Sequence, residues 1–497
     1  MNNETTLDEV VVDTFECLLP VRNFRVVAAV TKERQVPLTI EYALLLLKTL
    51  GWATIEDLQS YFGLTKKETG VLLHDLNSPG YVETEDGGLK LSQKGLQLFR
   101  EDDGDPVITE VAEIDKVVTF DLLSVSLPLG KLSGQRHRPP FTITIDELPQ
   151  DKEVAANIIE RVRSSFQTDT FREFNDRFGE EKTLSLYSID HIEPLNLRSL
   201  PMSVPLKASI NSDVIVEPDF SELLEAGRIG RSREPIIHAI MQKIRMSSWP
   251  KDSKDAITWL SDFDHRLLSQ FRSGSGFDLQ ACISFIQSGR KSTVVTEGVT
   301  KFFLGSSTSD GFLKAYDAIG EELLLAGNDR LIWVAPNYPL WGKGEQFEAI
   351  AKKLREGDGD AAFAIALKQD ESPSREREER ELAKQYKSHR EQPFFDEMVL
   401  FARDTLPSSL EVILRPGKFA AVIVYVSQDG SDTLPLPLGF ITTNQAVVRD
   451  IHRMVSDGLE ARDKWTSAFK AKSVSTLYDK VHSIPPVENA VGASTSE

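Results

Sequence analysis

Cysteine is almost missing from this chain: two in 497 residues, Cys17 and Cys282, far apart in sequence. That excludes a disulfide scaffold and a cysteine-rich zinc site, and it suits a reducing cytoplasm. No apolar run approaches the roughly 20 residues that span a bilayer, so no membrane contact is expected. The N-terminus, MNNETTLDEV, lacks the basic-then-apolar layout of a signal peptide. Positive charge is short as well: 57 Lys+Arg stand against 76 Asp+Glu, a net charge of −19. A general nucleic-acid coat is thereby excluded, because phosphate neutralisation supplies most non-specific affinity. Any nucleic-acid contact must be local. The expectation is a soluble, cytoplasmic protein.

What is present is ordinary globular material, 40% hydrophobic and 27% charged, in a chain too long for one core. The short apolar runs over residues 8–31 predict one or two strands within an N-terminal segment, 1–37, that packs on the next domain. The pattern then sharpens over residues 38–100. LTIEYALLLLKTLG predicts a helix closed by Gly51. Thr54 with Asp57, and Thr65 with Glu68, have the spacing of capping boxes. Val71, Leu72 and Leu76 are expected to form the buried stripe of the second capped helix. YVETE, a Gly87-Gly88 turn and LKLS predict a hairpin, and a short helix follows from Gln93.

Three helices followed by a glycine-tipped hairpin resemble the winged-helix family. The resemblance implies a DNA-binding fold in which the helix starting at residue 66 meets a groove. It places Thr65, Lys66, Lys67 and Thr69 at that helix N-terminus and Lys90 beside the wing. The charge of residues 51–100 sums to −2, from five basic and seven acidic residues, and the wing tip, ETEDGG, is acidic. Double-stranded DNA and another protein are therefore both expected partners for this fold.

EDDGD, residues 101–105, predicts a linker. Residues 106–220 predict an α+β domain with a mainly antiparallel sheet. Its strands are expected at 107–111, 116–123, 141–146, 184–193, 203–210 and 213–217, and its helices at 151–165 and 169–178. Within it GKLSGQRHRPP is a basic loop whose Arg136 and Arg138, with His137, are candidates for anion binding, against the blander reading of a solvated surface. Residues 232–290 predict a helical bridge. Residues 291–482 predict an α/β domain with a β–helix–β unit around NYPLWGKGEQ. That loop lacks the spacing of a nucleotide P-loop. The charged stretch 371–391 predicts a solvated helix, an insertion or a lid, and 483–497 a disordered tail. The fold class expected is thus multidomain, mixed α/β and α+β.

Late in the chain, LRPGKFAAVIVYV and LGFITTN complete an order of helices and strands that resembles the phospholipase D-like fold. In that family a His-x-Lys motif supplies the phosphorus-attacking imidazole and the phosphate-neutralising lysine. Lys418 falls on the lysine position and Asn444 on the later asparagine. Pro416 stands where the nucleophile belongs, Ile423 where an aspartate belongs, and Gly439-Phe440 where two small residues belong. No His-x-Lys occurs anywhere in the chain. The resemblance implies a degenerate member that lacks catalytic residues, with Lys418, Asn444, Arg136 and Arg138 as anion-binding candidates.

Other motifs are poorer. Asp262 and His265 offer two metal ligands without a third. His191 has the His-x-Glu of zinc deaminases without their cysteines. No cofactor and no metal is expected. The leading expectation is a non-catalytic, nucleic-acid-associated protein: a transcription regulator or a bacterial defence-system component. The alternatives are a phosphodiesterase or nuclease whose two-motif mechanism would need a homodimer, and a protein-interaction scaffold.

Overall fold

The computed structural model describes residues 9–85, 87–99, 105–129, 141–143, 152–178, 184–210, 214–229, 232–263, 267–273, 276–289, 297–320, 331–356, 363–369, 395, 397–402, 406–427 and 434–460. The linker at 101–104, the charged stretch 371–391 and the tail 483–497 lie outside them.

One very long strand organises the first half of the chain. β1 (Glu9–Gln35) runs 27 residues, which at about 3.3 Å per residue makes a ribbon about 90 Å long. At its far end the chain builds α1 (Leu38–Leu50), β2 (Ala53–Thr54), α2 (Ile55–Phe62), α3 (Lys66–Asn77), β3 (Val82–Glu85), β4 (Gly88–Leu91) and α4 (Gln93–Leu96). It then returns as β5 (Val107–Asp121), antiparallel to β1 from Gln35–Val107 back to Val21–Asp121. β6 (Phe141–Thr142) pairs with β1 in parallel. α5 (Lys152–Ser165) and α6 (Phe171–Phe178), joined by a π-turn, precede β7 (Leu184–Ser209). β7 pairs antiparallel with β1 from Glu9 to Lys32.

β5 and β7 are thus each continuous where the sequence predicted two strands, and β1 is a single strand, one of the two outcomes expected. Proline is tolerated at Pro194, Pro201 and Pro205 because β7 is an edge strand there: its second neighbour, β8 (Ile215–Pro218), pairs only with residues 206–209. β1 itself buries two different residue parities. Phe15, Cys17, Leu19 and Val21 are buried in its first half; Phe24, Val26, Ala28 and Val30 in its second. The switch coincides with a register shift between Arg22 and Phe24, since one extra residue exchanges the faces of a period-two strand. The second half packs on Ile158, Val162, Phe166 and Phe171 of the α5–α6 segment.

The tip unit has a core of its own. Ala43, Leu44 and Leu47 of α1 meet Leu58, Leu72, Leu76 and the hairpin residues Val82 and Leu89. Its strands order β2-β4-β3. Trp52 lies across the hairpin turn, its indole N–H donating to the Glu85 carbonyl at 3.0 Å. A Cβ at Gly88 would stand 2.4 Å from that ring, so only glycine fits there.

After β8 come α7 (Ser221–Ile229), α8 (Glu234–Arg245), α9 (Ser253–Phe263), the short pair β9 (Arg272–Ser273) and β10 (Gly276–Phe277), and α10 (Leu279–Gln287). The remaining elements are β11 (Thr300–Leu304), α11 (Asp310–Asp317), β12 (Leu331–Val334), α12 (Gly344–Glu356), β13 (Phe363–Gln369), β14 (Glu397–Ala402), β15 (Leu410–Arg415), β16 (Phe419–Val426), β17 (Leu436–Thr442) and α13 (Gln445–Glu460). They form a seven-stranded mixed sheet, ordered β11-β17-β16-β15-β12-β13-β14. β12, β13 and β14 run parallel; the other pairings are antiparallel. Every residue of β15, β16 and β17 is buried, which is why FAAVIVYV is apolar without alternation. The first half of β1 shares this core: Val12, Phe15 and Leu19 belong to the same hydrophobic cluster as Trp333 and Ile423. The chain is therefore a mixed α/β protein with several sheets.

Candidate functional site

The tip helix α3 starts at a complete capping box. The Thr65 hydroxyl accepts the Glu68 amide at 3.4 Å, and the Glu68 carboxylate accepts the Thr65 amide at 2.8 Å. Those bonds hold the Glu68 carboxyl below its ordinary range. Lys66 and Lys67 project from this first turn into solvent. Thr69 does not: it is 2% exposed, and its hydroxyl donates to the Thr65 carbonyl at 2.9 Å. Lys90 is ion-paired with Glu85 across the hairpin. Val71, expected in the buried stripe, is 56% exposed. The stripe is Thr69, Leu72 and Leu76, because the helix turns its 69/72/76 line toward α1. The outward line is therefore Lys67, Gly70, Val71, His74 and Asn77, with the exposed carboxylates of Glu68 and Asp75 along its edge. Gly70, His74 and Asn77 were overlooked in the sequence; their i, i+4, i+7 spacing opposite the buried line was the available signal.

Lys418 lies in the β15–β16 turn, after Gly417 at φ +69°. Its amide donates to the Arg415 carbonyl at 3.0 Å, and its ammonium has no partner among the described residues. Ala420 faces Thr442 across β16 and β17, so the same register carries Lys418 and Asn444 to one end of the sheet. Asn444 is spent on structure. Its carboxamide oxygen accepts the Val447 amide at 3.1 Å, capping α13, and its Nδ2 donates to the Glu297 carbonyl at 2.8 Å. Gly439 is required by packing, since a Cβ would stand 2.6 Å from both the Phe303 ring and the Val422 carbonyl. Ile423 is fully buried. His191 is exposed on β7. Arg136, His137, Arg138 and the side chains of Asp262 and His265 lie outside the described residues.

The opposite end of the sheet holds a polar cluster that apolar patterning concealed. Glu411, inside the apolar run of β15, is fully buried. Its Oε1 accepts the indole N–H groups of Trp333 and Trp341, each at 2.8 Å, and its Oε2 accepts the Tyr425 hydroxyl at 2.6 Å. Asp13 comes from β1. Its Oδ1 accepts the Thr14 amide at 2.8 Å and the Thr308 hydroxyl at 3.4 Å. Its Oδ2, the Tyr338 hydroxyl and the hydroxyls of Ser307 and Ser409 are buried and, among the described residues, without a partner in hydrogen-bond geometry. Burial pushes the Asp13 carboxyl up to about 6 and raises that of Glu411; no basic group among the described residues offsets either. Burial also raises Tyr338 and Tyr425. Through the Asp13–Thr308 bond the cluster fastens β1 to the segment that precedes α11.

The chain matches no protein-family model and no curated protein. Among solved structures it is similar to TrmBL2, an archaeal chromatin protein described as having a novel mode of DNA binding. That match has 9% identity and a TM-score of 0.20 over 84% of this chain and 90% of that one. It is also similar to a phosphatidylserine synthase of Haemophilus influenzae Rd KW20, at 11% identity and a TM-score of 0.21, over 37% of this chain and 43% of that one. Superpositions at this level define no shared fold. Among the described residues, no helix is long and apolar enough to cross a membrane.

Proposed function

We propose that residues 38–100 are a winged-helix module that binds duplex DNA, carried at the end of a long antiparallel ribbon by a protein that is otherwise non-catalytic. The observation that carries this reading is the outer line of α3. Lys67, Gly70, Val71, His74 and Asn77 are all exposed, Lys66 stands beside them, and Gly70 offers no side chain to hold a groove away. Phosphates would meet Lys66 and Lys67; His74 and Asn77 have the donors and acceptors to address base edges. The acidic wing, with Lys90 committed to Glu85, would stand off the backbone. Residues 291–482 fit a phospholipase D-like scaffold without its attacking imidazole: Lys418 and Asn444 share one sheet end, Pro416 takes the nucleophile's position, and Asn444 is occupied with capping. On this reading residues 106–220 and the helices of 232–290 join the two, and the protein acts in the cytoplasm as a regulator or a defence-system component.

The test is fluorescence anisotropy of a labelled duplex at 50 and 200 mM salt. Binding should weaken with salt, and Lys66→Ala with Lys67→Ala should lower the logarithmic salt slope by about two. Absence of binding at 50 mM salt would remove the reading. A chromogenic phosphodiester should not be turned over.

A further inference from the structure

We propose that Lys343 and Lys243 form a binding site for a small phosphoryl anion at the carboxyl end of β12. This goes beyond the DNA-binding reading and does not depend on it. Lys343 lies in the loop NYPLWGKG, between β12 and α12; Lys243 lies in the last turn of α8. The two ammonium groups converge on one ring. Lys343 Nζ is 3.7 Å and Lys243 Nζ 5.7 Å from the centroid of Phe141. Phe15 stacks on that ring at 5.1 Å with an interplanar angle of 7°.

Two like charges drawn together beneath the surface repel one another, and burial strengthens the repulsion. Neither lysine is ion-paired among the described residues, in a chain with 76 acidic side chains to choose from. Burial, and next the Lys243 charge, push the Lys343 ammonium down to about 8. The Glu16 carboxylate, which packs against the adjacent Gly344, accepts the Glu345 amide at 3.3 Å and holds the start of α12. A pair of converging, half-buried cations is unfavourable alone and favourable around an anion. The position is also the one where open α/β sheets take ligands, beyond the carboxyl end of a parallel strand. It lies at the sheet end opposite Lys418.

Geometry selects the size and class of the ligand. Phe141 is covered by Phe15 and by Lys343, so no base or sugar can stack on it. Lys343 is too recessed to meet the backbone of a duplex. What remains is a compact anion able to accept from two ammonium groups at once, a phosphate or the phosphoryl group of a small monoester.

The experiment uses the full chain, with inorganic phosphate as probe, followed by calorimetry and by thermal unfolding against chloride at matched ionic strength. Phosphate should raise the melting temperature and chloride should not. Lys343→Met and Lys243→Met keep the apolar stems and should each weaken phosphate binding at least tenfold, as loss of one charge-assisted bond requires. Lys314→Met, at an exposed position of α11, should bind as the parent does. AMP in place of phosphate separates the sources: tighter binding assigns a monoester, and weaker binding assigns free phosphate. Phosphate and chloride acting alike, or both methionine variants binding phosphate like the parent, would overturn the proposal. Duplex binding by the same variants keeps this outcome separate from that of the α3 reading.

Discussion

Gln35 stands directly opposite Val107 in the antiparallel pairing of β1 with β5. Everything between them, the whole tip unit included, is therefore an insertion at the end of a hairpin. The unit has its own core, and the ribbon closes without it. Replacing residues 36–106 by an Asn-Gly turn, which suits a two-residue hairpin, should leave the remaining chain folded. Its melting temperature should stay within a few degrees of the parent's and its duplex binding should vanish. Global unfolding of the excised protein would show that the tip unit supports the ribbon rather than riding on it.

Glu411 supplies a sharper test of the sheet's polar cluster. Alanine at this position leaves two indole N–H groups and the Tyr425 hydroxyl buried without an acceptor. Each such loss costs about 1–3 kcal/mol, so Glu411→Ala should destabilise by about 4 kcal/mol or more in urea unfolding followed by tryptophan fluorescence. Glu411→Gln keeps an oxygen for the indoles and removes a buried charge, and should cost less than half as much. Equal losses for the two substitutions would mean that the acceptor matters less than the charge.

Local chemistry was the legible part of this molecule. The caps at Thr54 and Thr65, the Gly51 helix end and the β12–α12–β13 unit all follow from neighbours within a few residues. The ribbon was not legible, because β1 gains its 27 residues from partners about 90 and 170 positions away, and its parity change at Arg22 blurs the alternation that marks a strand. The α3 outer line was misread at Val71 because an apolar side chain on a helix is read as buried by default. Glu411 and Asp13 were invisible for a related reason. One acid inside an apolar strand is noise until Trp333, Trp341 and Tyr425 arrive from elsewhere in the fold.

Asp13 makes the cluster sensitive to pH, with a definite sign. Its folded carboxyl titrates at about 6, against an ordinary value of 3.8, so the folded state binds this proton more tightly than the unfolded one. The contribution to stability is full below pH 3.8, declines as pH rises toward 6, and is lost above 6. Asp13→Asn keeps an acceptor for the Thr14 amide and removes the charge. It should leave stability unchanged near pH 4 and raise it by up to about 3 kcal/mol at pH 8. Parallel denaturant titrations at the two pH values check this. A variant that is destabilised equally at both would mean that the Asp13 hydrogen bonds outweigh its desolvation.

Arg233 and Asp121 form a pair of opposite charges in which both side chains are almost fully enclosed, at 2% and 1% exposure and 3.2 Å apart. Arg233 precedes α8 and also donates to the Leu127 carbonyl at 2.8 Å and to the Ser126 hydroxyl, so it clasps the turn that follows β5. Burial lowers its proton affinity, yet the guanidinium stays charged, since its ordinary value lies far above neutrality. Removing one partner strands the other. Arg233→Met should cost about 3–5 kcal/mol, and so should Asp121→Leu. The double substitution should cost clearly less than the sum of the two, because it strands neither charge. Additive losses in the denaturant midpoints of the three variants would show that the two charges do not act as a pair, and that Arg233 holds the turn through its bonds to Leu127 and Ser126 instead.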